Sequence, residues 1–411
     1  MTQVKIKAKE MMPLASSLTP TIESKGDALA QHMLLALTNK GNQYIVLGKS
    51  IQVGSTTTRV LPLVQKDVQD GAHPFELQPG EEVVMVETRR VHQALSGFGA
   101  AIVTFKQDNG NVELESEEGS KIIVKGQPCV EDGRPVTASQ MVAEMEQMEQ
   151  EIERSGIGVS LLGLSVGLPA AIRMAMMPGN TSDMRGVTMH IATDEHTGSQ
   201  SLHIVGAHQQ AMYVYEVSLP MLKGAELDVT IMPESAKRML ELLKAGLGDA
   251  MDKDGGCKKD VLLCPRQEEG VLLVKGDDFV MEMKQMDFVP RHCEELMSMP
   301  GKNVIEVDRI PLLKAVQGLQ KMGETECRVS FGLESLTIEG EAKEYRGERT
   351  FRLPCQRYGA DEELQQRKLP LQPLSIMLSA ASAADAKKVK LLVDADEETL
   401  CLQVDEFNLW V

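Results

Sequence analysis

The chain has 411 residues, with 60 Asp and Glu against 43 Lys and Arg, which gives a formal net charge of −17. This balance argues against a small basic domain that grips nucleic acid with its outer surface, because such binding depends on neutralising phosphates. Seven Cys without a repeated spacing, no hydrophobic signal segment and no run of about 18 apolar residues predict a soluble cytoplasmic protein.

One order of elements recurs along the chain: an amphipathic helix of about three turns, followed by strands joined by tight polar turns. The order is clearest where Val91, Leu95 and Phe98 form a helical stripe and alternating segments then flank the turn at 108–111. In chain order, helices are predicted at 5–18, 87–99, 168–179, 233–246, 308–323 and 372–388.

Strands are predicted after every helix. After the first three helices they fall at 31–39, 43–50, 57–63, 101–106, 112–116, 121–126, 187–193, 201–207 and 212–219. After the last three helices they fall at 270–276, 278–284, 287–289, 327–332, 335–342, 349–354, 389–394 and 399–404. Six helix-plus-strand units, alternately long and short, predict three domains that are each an internal duplication.

Polar joints without a strand pattern separate the predicted domains. We interpret 138–156 as an acidic linker or insertion that could form a short solvated helix, with Met141, Met145 and Met148 on one side. A helix that docks a partner is the alternative. The predicted domains are 1–137, 157–290 with a loop insertion at 247–260, and 291–411.

Charge is distributed unevenly over this pattern. The six predicted helices together carry a net charge of +8, so the remainder of the chain carries −25. A basic helical surface attracts a polyanion, and an acidic exterior repels it, which would confine the polyanion to one place. The alternative is that short helices often carry Lys and Arg for other reasons.

Six stretches carry a resemblance to a known family: 31–60, 86–135, 231–246, 304–323, 335–354 and 371–404. In this order they resemble parts of the three domains of the bacterial-type sliding clamp, the beta subunit of the replicative DNA polymerase. The resemblance implies an α+β fold of three tandem clamp domains, closed into a homodimeric ring. It also implies a non-enzymatic, cofactor-free processivity factor that encircles duplex DNA and binds a replicative polymerase and a clamp loader.

The chain departs from the family in several places. Residues 206–215 stand where the family has an Asp-Gly-His-Arg-Leu-type turn, with Met212 at the apolar position. Residues 405–411 replace a Met-Pro-Met-Arg-Leu-like tail, and the insertions near 141–155 and 247–260 exceed the usual length. We infer a divergent member, with a phage or a mobile element as a candidate source, whose partners could carry a different binding motif.

Two sets of site residues follow from the resemblance. The DNA-facing set is basic and consists of Lys7, Lys9, Arg89, Arg90, Arg173, Lys237, Arg238, Lys314, Lys321, Lys387 and Lys388. The partner-peptide groove, between domains two and three, is expected to be lined by Met212, Val214, Pro233, Ala236, Lys237, Met239, Ile376, Phe407, Leu409, Trp410 and Val411. Such a cleft accepts an extended peptide with apolar anchors.

Other interpretations remain for these residues. Each basic residue could be an ordinary solvated charge, and Met212, Val214 and Met239 could be core residues. Trp410, the only Trp in the chain, is stronger evidence, because an apolar chain end is unfavourable unless it docks.

Enzyme and scaffold functions are the alternatives to a clamp. No Walker-type phosphate loop and no Gly-x-Ser-x-Gly elbow is present. The acidic and histidine residues that suggest a metal-dependent hydrolase lack a ligand spacing; they are His190, Asp194, Glu195, His196, His203 and His208. The favoured alternative is an acidic protein-interaction scaffold with a clamp fold that does not encircle DNA.

Overall fold

The structure is a computed structural model of the chain. It describes residues 2–18, 31–40, 43–52, 54–62, 81–108, 110–131, 133–181, 185–194, 197–209, 211–219, 225–250, 259–286, 303–340, 349–359, 364–382, 386–393, 400–404 and 407–410. In these ranges, no helix has the length and apolar character needed to cross a bilayer.

The first part of the chain contains three helices and twelve strands within the described ranges. They are β1 (Thr2–Lys7), α1 (Ala8–Ser17), β2 (His32–Lys40), β3 (Gln43–Gln52), β4 (Ser55–Pro62), β5 (Val84–Glu87), α2 (Thr88–Phe98), β6 (Ile102–Asp108), β7 (Asn111–Ser116), β8 (Lys121–Val124), β9 (Gly126–Pro128), β10 (Val130–Glu131), β11 (Arg134–Pro135), α3 (Ala138–Ser155) and β12 (Ile157–Ser160).

The described remainder contains a one-turn 3₁₀ helix at Gln267–Glu269. It also contains four α-helices and fifteen strands. They are α4 (Leu161–Ala175), β13 (Val187–Thr193), β14 (Gln200–His208), β15 (Ala211–Ser218), β16 (Asp228–Ile231), α5 (Pro233–Ala250), β17 (Asp260–Arg266), β18 (Val271–Lys275), β19 (Phe279–Lys284), β20 (Asn303–Asp308), α6 (Arg309–Lys321), β21 (Glu326–Phe331), β22 (Ser335–Gly340), β23 (Thr350–Tyr358), β24 (Arg367–Pro370), α7 (Leu371–Ala380), β25 (Lys388–Val393), β26 (Leu400–Val404) and β27 (Phe407–Trp410).

The chain divides into two compact units. Unit 1 comprises Met1–Gly158 and Glu241–Gln285, and unit 2 comprises Val159–Leu240 and Met286–Val411. The predicted middle domain, 157–290, contributes to both units. The division into three clamp domains at the predicted boundaries stays a prediction.

The described part of unit 1 contains two large sheets, of order β1-β6-β7-β8 and β17-β18-β19-β4-β3-β2-β5-β9, with β12 joining the β17 edge, and a two-stranded sheet of β10 and β11. Helices α1 and α2 pack against each other and bury Met11, Leu14 and Leu95 among strand residues such as Leu35 and Phe105. Amphipathic helices are expected to bury one stripe in this way.

Helix α3 covers the other face of the larger sheet. Its first turn is fixed by a capping box, in which Thr137 accepts from the Gln140 amide and the Gln140 side chain accepts from the Thr137 amide. Met141, Met145 and Ile152 are buried against that face of the sheet. The prediction of a solvated helix is therefore wrong for this side, because the methionines supply an apolar stripe that the sheet buries.

Ion pairs hold the acidic side of α3 to basic strand residues. Glu144 lies 2.7 Å from the Lys49 ammonium, and the Arg266 guanidinium donates to Glu151, with 2.7 Å between Nε and Oε1. Two further pairs join Glu149 to Lys40 and Glu153 to Lys275. The negative charge of α3 is thus matched within unit 1.

Unit 2 is built on one twelve-stranded antiparallel sheet, of order β16-β13-β14-β15-β27-β26-β25-β20-β23-β22-β21-β24. Helix α4 packs on β14 and β15, and α7 packs against both α4 and α6. The approach of α4 to the sheet requires glycine, because a Cβ on Gly206 would lie 2.3 Å from the Ala171 carbonyl oxygen.

The pairing of third strands follows a rule within each unit. In unit 1, β4, the third strand after α1, pairs antiparallel with β19, the third strand after α5. In unit 2, β15, the third strand after α4, pairs antiparallel with β27, the third strand after α7. The repeat seen in the sequence is therefore also a repeat of strand pairing. Among the described residues, β8 and β23, the third strands after α2 and α6, do not pair with another third strand.

Most predicted elements are present, and the largest errors concern two helices. The third helix begins at Leu161, seven residues before the predicted start at 168, because the Ser160 hydroxyl caps it by accepting from the Gly163 amide. The sixth helix ends at Ala380, eight residues before the predicted end at 388. Arg309 instead donates to the Leu378 carbonyl near the end of α7, at 3.1 Å.

Candidate nucleic-acid and partner-binding surfaces

In unit 1, the basic surface of the helices is provided mainly by α2. Thr88, Val91 and Leu95 are buried, and this orientation leaves Arg89 and Arg90 exposed to solvent. Arg90 pairs with Glu87 at 2.6 Å, so its charge is partly balanced at the surface. Exposed basic side chains on one short helix can contact the phosphates of a duplex.

Lys9 and Lys7 lie at the start of α1 and at the end of β1. Lys9 is exposed on the first turn of the helix, as predicted. Lys7 is also exposed, but it is the last residue of β1 and lies 3.4 Å from Glu10. The helix predicted at 5–18 is thus shorter at its beginning, and its own charges cancel.

In unit 2, α6 presents the most regular basic face. Lys314, Gln317 and Lys321 are exposed along one side, with Ile310 before them, while Leu312 and Val316 are buried. Positions seven residues apart lie on the same side of an α-helix, since 3.6 residues make a turn. Lys314 and Lys321 have no ion pair with the residues that the structure describes, so both ammonium groups are available to an anion.

Arg173 is the single exposed charge on α4, and Lys237 is exposed on α5 together with Glu241 and Lys244. Helix α4 is otherwise almost wholly buried, with Leu162 as its other exposed residue. Each of these two helices therefore offers at most one predicted DNA contact.

Three residues of the predicted DNA-facing set have another place in the structure. Arg238 is 1% exposed, so the prediction that it faces DNA is wrong: the buried face of α5 contains it. Lys387 and Lys388 are exposed but lie beyond α7, the second of them on β25. The Glu306 carboxylate pairs with Lys388 and raises the pKa of its ammonium group.

The observed helix bounds alter the charge distribution. Helices α1, α5 and α7 have net charges of zero, α2 has +2, α4 has +1 and α6 has +3, which gives +6 in place of the predicted +8. Within α6, Arg309 is buried and donates to backbone carbonyls. The solvent-facing positive charge is thus concentrated on α2 and α6.

The predicted groove residues divide between two faces of the unit 2 sheet. Met212, Val214 and Trp410 pack in one cluster with Val205 and Cys401. Side chains alternate along a strand, so the residues between them point to the other face. On that face are Phe407, whose ring lies 4.7 Å from that of Tyr215, and Leu409, opposite Tyr213. These five predicted members cannot line one groove, and for Phe407 and Leu409 the prediction is wrong.

The other predicted groove residues are placed on helices. Pro233, Ala236 and Met239 are buried on α5, Ile376 is buried on α7, and Lys237 is exposed. Val411 lies outside the described residues. The most exposed of the described apolar members is Ile376, at 9%. Met212, Val214 and Trp410 are buried as well, at 6%, 0% and 6% exposure, so the described apolar members do not form an open groove. Because these three share one face of the sheet, we keep them as the candidate partner site and call them the Trp410 cluster.

The chemistry of the Trp410 cluster is apolar. Burial raises the pKa of the Cys401 thiol to about 12, so this cysteine is protonated and unreactive at neutral pH. Met and Trp side chains offer polarizable, adaptable contact area to an apolar peptide anchor.

The histidines considered as metal ligands are spread over the sheet. His190 lies 3.6 Å from Asp228, and its ring centroid lies 6.5 Å from that of His203. His196 and Glu195 lie outside the described residues. In the described part of the chain, no three His, Cys, Asp or Glu side chains converge as metal ligands would.

Two features were missed at the sequence level. One is the open edge strand β8, where Ile122 and Ile123 are 36% and 54% exposed. The other is the basic face of the unit 1 sheet that receives α3. Neither has a sequence signal, because both depend on which strands are neighbours.

Comparison with solved structures identifies the fold. The DNA polymerase III subunit beta from Pseudomonas aeruginosa matches with a TM-score of 0.73 and 11% identity, covering 100% of this chain and 98% of that one. The DNA polymerase III beta subunit from Thermotoga maritima matches at 0.72 with 12% identity, and the DNA polymerase sliding clamp from Bacillus subtilis at 0.73 with 12%. Each covers 100% of this chain and 98% of the other.

The chain therefore has the fold of the bacterial DNA sliding clamps, and the resemblance seen in the sequence is confirmed for the fold. No family model and no curated protein matches the sequence. With identities of 11–12%, the chain is a divergent form of this fold.

Proposed function

We propose that the protein is a DNA polymerase processivity factor: a homodimeric ring that encircles duplex DNA and tethers a replicative polymerase. The clamp fold supports the assignment to the processivity factors as a class. The observation that carries the ring is the pairing of third strands, because the rule that joins β4 to β19 and β15 to β27 gives β8 and β23 no third-strand partner among the described residues.

Each residue of these two strands is paired on one side alone within the described residues. β8 pairs with β7, and β23 pairs with β22 through its first five residues and with β20 through its last four. A strand edge with unpaired backbone groups is a template for another chain. We infer that β8 of one subunit pairs antiparallel with β23 of the second, and that two such contacts close the ring.

The charge distribution supports DNA in the interior of such a ring. Exposed Arg89, Arg90, Lys314 and Lys321 lie on helices, and the chain outside the six helices carries −23. Contacts of these residues with phosphates would be independent of sequence and compatible with sliding. The protein would act by raising the effective concentration of a tethered polymerase at its template, and it would catalyse no reaction itself.

We assign polymerase and clamp-loader docking to the Trp410 cluster of unit 2. Its support is the placement of the single Trp with Met212 and Val214 on one sheet face. The fluorescence of Trp410 is a direct reporter, because no other Trp contributes.

Topological binding tests the function. Dimers are dissociated by dilution, reassembled with nicked circular DNA and passed over a sizing column in high salt, and the complex is then cut with a restriction enzyme. We expect co-elution with the circle and release on cutting. Equal retention on circular and linear DNA, or none on either, would instead favour the acidic scaffold that does not encircle DNA.

A further inference from the structure

Unit 2 contains a pocket of about 260 Å³ where β25 begins and β26 ends. Six described residues line it, and three of them are lysines: Ala386, Lys387, Lys388, Lys390, Gln403 and Val404. No acidic side chain is among these described lining residues. We call this site the lysine pocket.

Two of the three lysines have no acidic partner in the part of the chain that the structure describes. Lys388 pairs with Glu306 of the neighbouring strand β20. Lys387 and Lys390 are exposed, and neither forms an ion pair with a described residue. Gln403, directly opposite Lys390 on β26, adds an uncharged amide that can donate hydrogen bonds. The lining therefore has a surplus of two positive charges, which favours an anionic ligand.

Strand register places Lys390 and Gln403 on the sheet face that carries the Trp410 cluster. Residues directly opposite one another on paired strands share a face of the sheet. Four residues are opposite one another in this way across β25, β26, β27 and β15: Lys390, Gln403, Asn408 and Val214. Val214 is a member of the Trp410 cluster. The lysine pocket is thus continuous with the candidate partner site.

The helices of unit 2 lie on the other face of this sheet. A Cβ on Gly167 of α4 would lie 2.3 Å from the Tyr215 ring, so Tyr215 faces α4 and its neighbour Val214 faces away. Helix α7 packs against both α4 and α6, so the three helices form one layer. The sheet therefore separates the lysine pocket from Lys314 and Lys321, the exposed lysines of α6.

The surroundings of the pocket favour a single anionic group over a polyanion. Glu306 and Asp308 on β20 lie directly opposite Lys390 and Lys388, on the same sheet face. These two carboxylates would repel the successive phosphates of a nucleic-acid strand. A single carboxylate can instead pair with the ammonium groups of Lys387 and Lys390.

Leu392 offers an apolar contact next to the lysine pocket. It is half-buried, packs against the Trp410 cluster, and follows Lys390 by two residues on the same strand. Two residues of a strand span about 7 Å, and their side chains share a face. An extended peptide has the same spacing, so two of its side chains, two positions apart, can reach Lys390 and Leu392 together.

We propose that the lysine pocket binds the carboxylate of a Glu or Asp in an extended partner segment, whose apolar side chain two positions away contacts Leu392. This inference rests on the partner docking proposed above and adds the chemistry of the partner segment. It also gives Lys387 and Lys388, which were predicted to face DNA, a role in partner binding instead.

The test uses the full-length protein with ¹³C-methyl-labelled Leu, titrated with N-acetyl-Glu-Gly-Leu amide and N-acetyl-Gln-Gly-Leu amide. We expect saturable shifts of the Leu392 methyl signals, with a dissociation constant about fivefold lower for the Glu peptide, because only this peptide forms ion pairs. A short single-stranded oligothymidylate should leave these signals unchanged.

Two variants distinguish the pocket from general attraction by basic residues. Lys390→Gln should abolish the preference for the Glu peptide, and Lys368→Gln, at an exposed lysine on β24 of the same sheet, should keep it. The comparison of the two peptides on the wild-type protein stands even if one variant folds poorly. Lys390→Gln should also leave the salt dependence of duplex binding unchanged, so failure of this inference and failure of the DNA-binding proposal are separate results.

Four results would overturn the proposal. They are an absent response to the Glu peptide, equal affinity for the two peptides, a preference for the Glu peptide that survives in Lys390→Gln, and an equal response to oligothymidylate, which would make a nucleic acid the occupant.

Discussion

Arg238 and Lys237 are neighbours on α5 but lie in opposite environments. Substituting each of them therefore distinguishes a buried charged side chain that supports the fold from one on the surface. Arg238 is 1% exposed, and Lys237 is exposed. We expect Arg238→Ala to lower the free energy of unfolding by about 2–4 kcal/mol, because it removes a large buried side chain and leaves a cavity. Lys237→Ala should change it by less than about 0.5 kcal/mol. Urea unfolding followed by Trp410 fluorescence measures both, and equal effects would contradict the assignment.

Lys314 and Lys321 are the residues on which the DNA-binding proposal depends most. If each neutralises one phosphate, the double variant Lys314→Ala/Lys321→Ala should reduce the slope of log affinity against log salt by about 2. Fluorescence anisotropy with a labelled duplex measures this slope. Lys284→Ala, an exposed lysine on β19, is the matched control and should keep the wild-type slope. An equal reduction of the slope in the double variant and in Lys284→Ala would indicate a nonspecific effect of positive charge and would contradict the assignment.

At the residue scale, the sequence predicted the exposure of the basic residues correctly except for Arg238, and it predicted the exposure of the apolar groove residues poorly. Arg89, Arg90, Lys314 and Lys321 are exposed on helices as expected, since amphipathic periodicity places them opposite the apolar stripe. Arg238 follows Lys237 directly, and a shift of one residue turns a helix by about 100°, so coarse helix phasing could not separate the two. Phe407 and Trp410 are three residues apart on one strand and therefore face opposite sides of the sheet, but no strand was predicted there.

At the scale of elements, the ion pairs of α3 predict a pH-dependent stability. The hydrogen bond from Arg266 lowers the pKa of Glu151 below its usual value of 4.5, although burial opposes this. A carboxyl group whose pKa is lowered in the folded state contributes stability that is present above pH 4.5 and is lost as the pH falls through the folded-state pKa.

Glu151→Gln tests this linkage. At pH 7 the variant should be less stable by about 0.5–1 kcal/mol, a modest amount because the Glu151 side chain is 35% exposed. The difference should shrink toward zero as the pH falls below 4.5. Thermal unfolding across pH measures it. Glu146→Gln, on the same helix and without an ion pair in the described residues, should show no such trend; a constant deficit for Glu151→Gln would contradict the linkage.

The open edge of β8 gives a second prediction at this scale. Ile123→Asp places a charge on a strand that we propose to be buried between subunits, so it should convert a dimer to a monomer. Val130→Asp is the control, because Val130 is similarly exposed, at 58%, on β10. Light scattering after size exclusion distinguishes the two masses, and a dimer that survives Ile123→Asp would contradict the assigned edge.

The sequence predicted elements through periodicity and turn chemistry, and these signals are local. Strand β13 was predicted at its observed bounds, and α2 within one residue at each end. The packing of α3 could not be predicted. Apolar residues such as Met141, Met145 and Ile152 on one side of a helix indicate that this side is buried, but not which sheet it packs against. The pairing of β4 with β19 joins segments more than 200 residues apart, which no local pattern encodes.

For the whole molecule, the net charge of −17 is compatible with a clamp only because its charges are separated. The six helices carry +6, less than predicted, and α3 alone carries −4. Because its carboxylates pair with Lys40, Lys49, Arg266 and Lys275, α3 also masks basic residues of the sheet. Such masking would disfavour DNA binding to that face and leave α2 and α6 as the basic surfaces.

The particle itself provides the most direct test of a closed ring. Light scattering with negative-stain imaging of the purified protein should give a mass of about 90 kDa, twice the 45.1 kDa of one chain, and images with a central hole. A compact 45.1 kDa particle without a hole, at protein concentrations well above the dissociation constant of a stable dimer, would contradict the proposed closed ring.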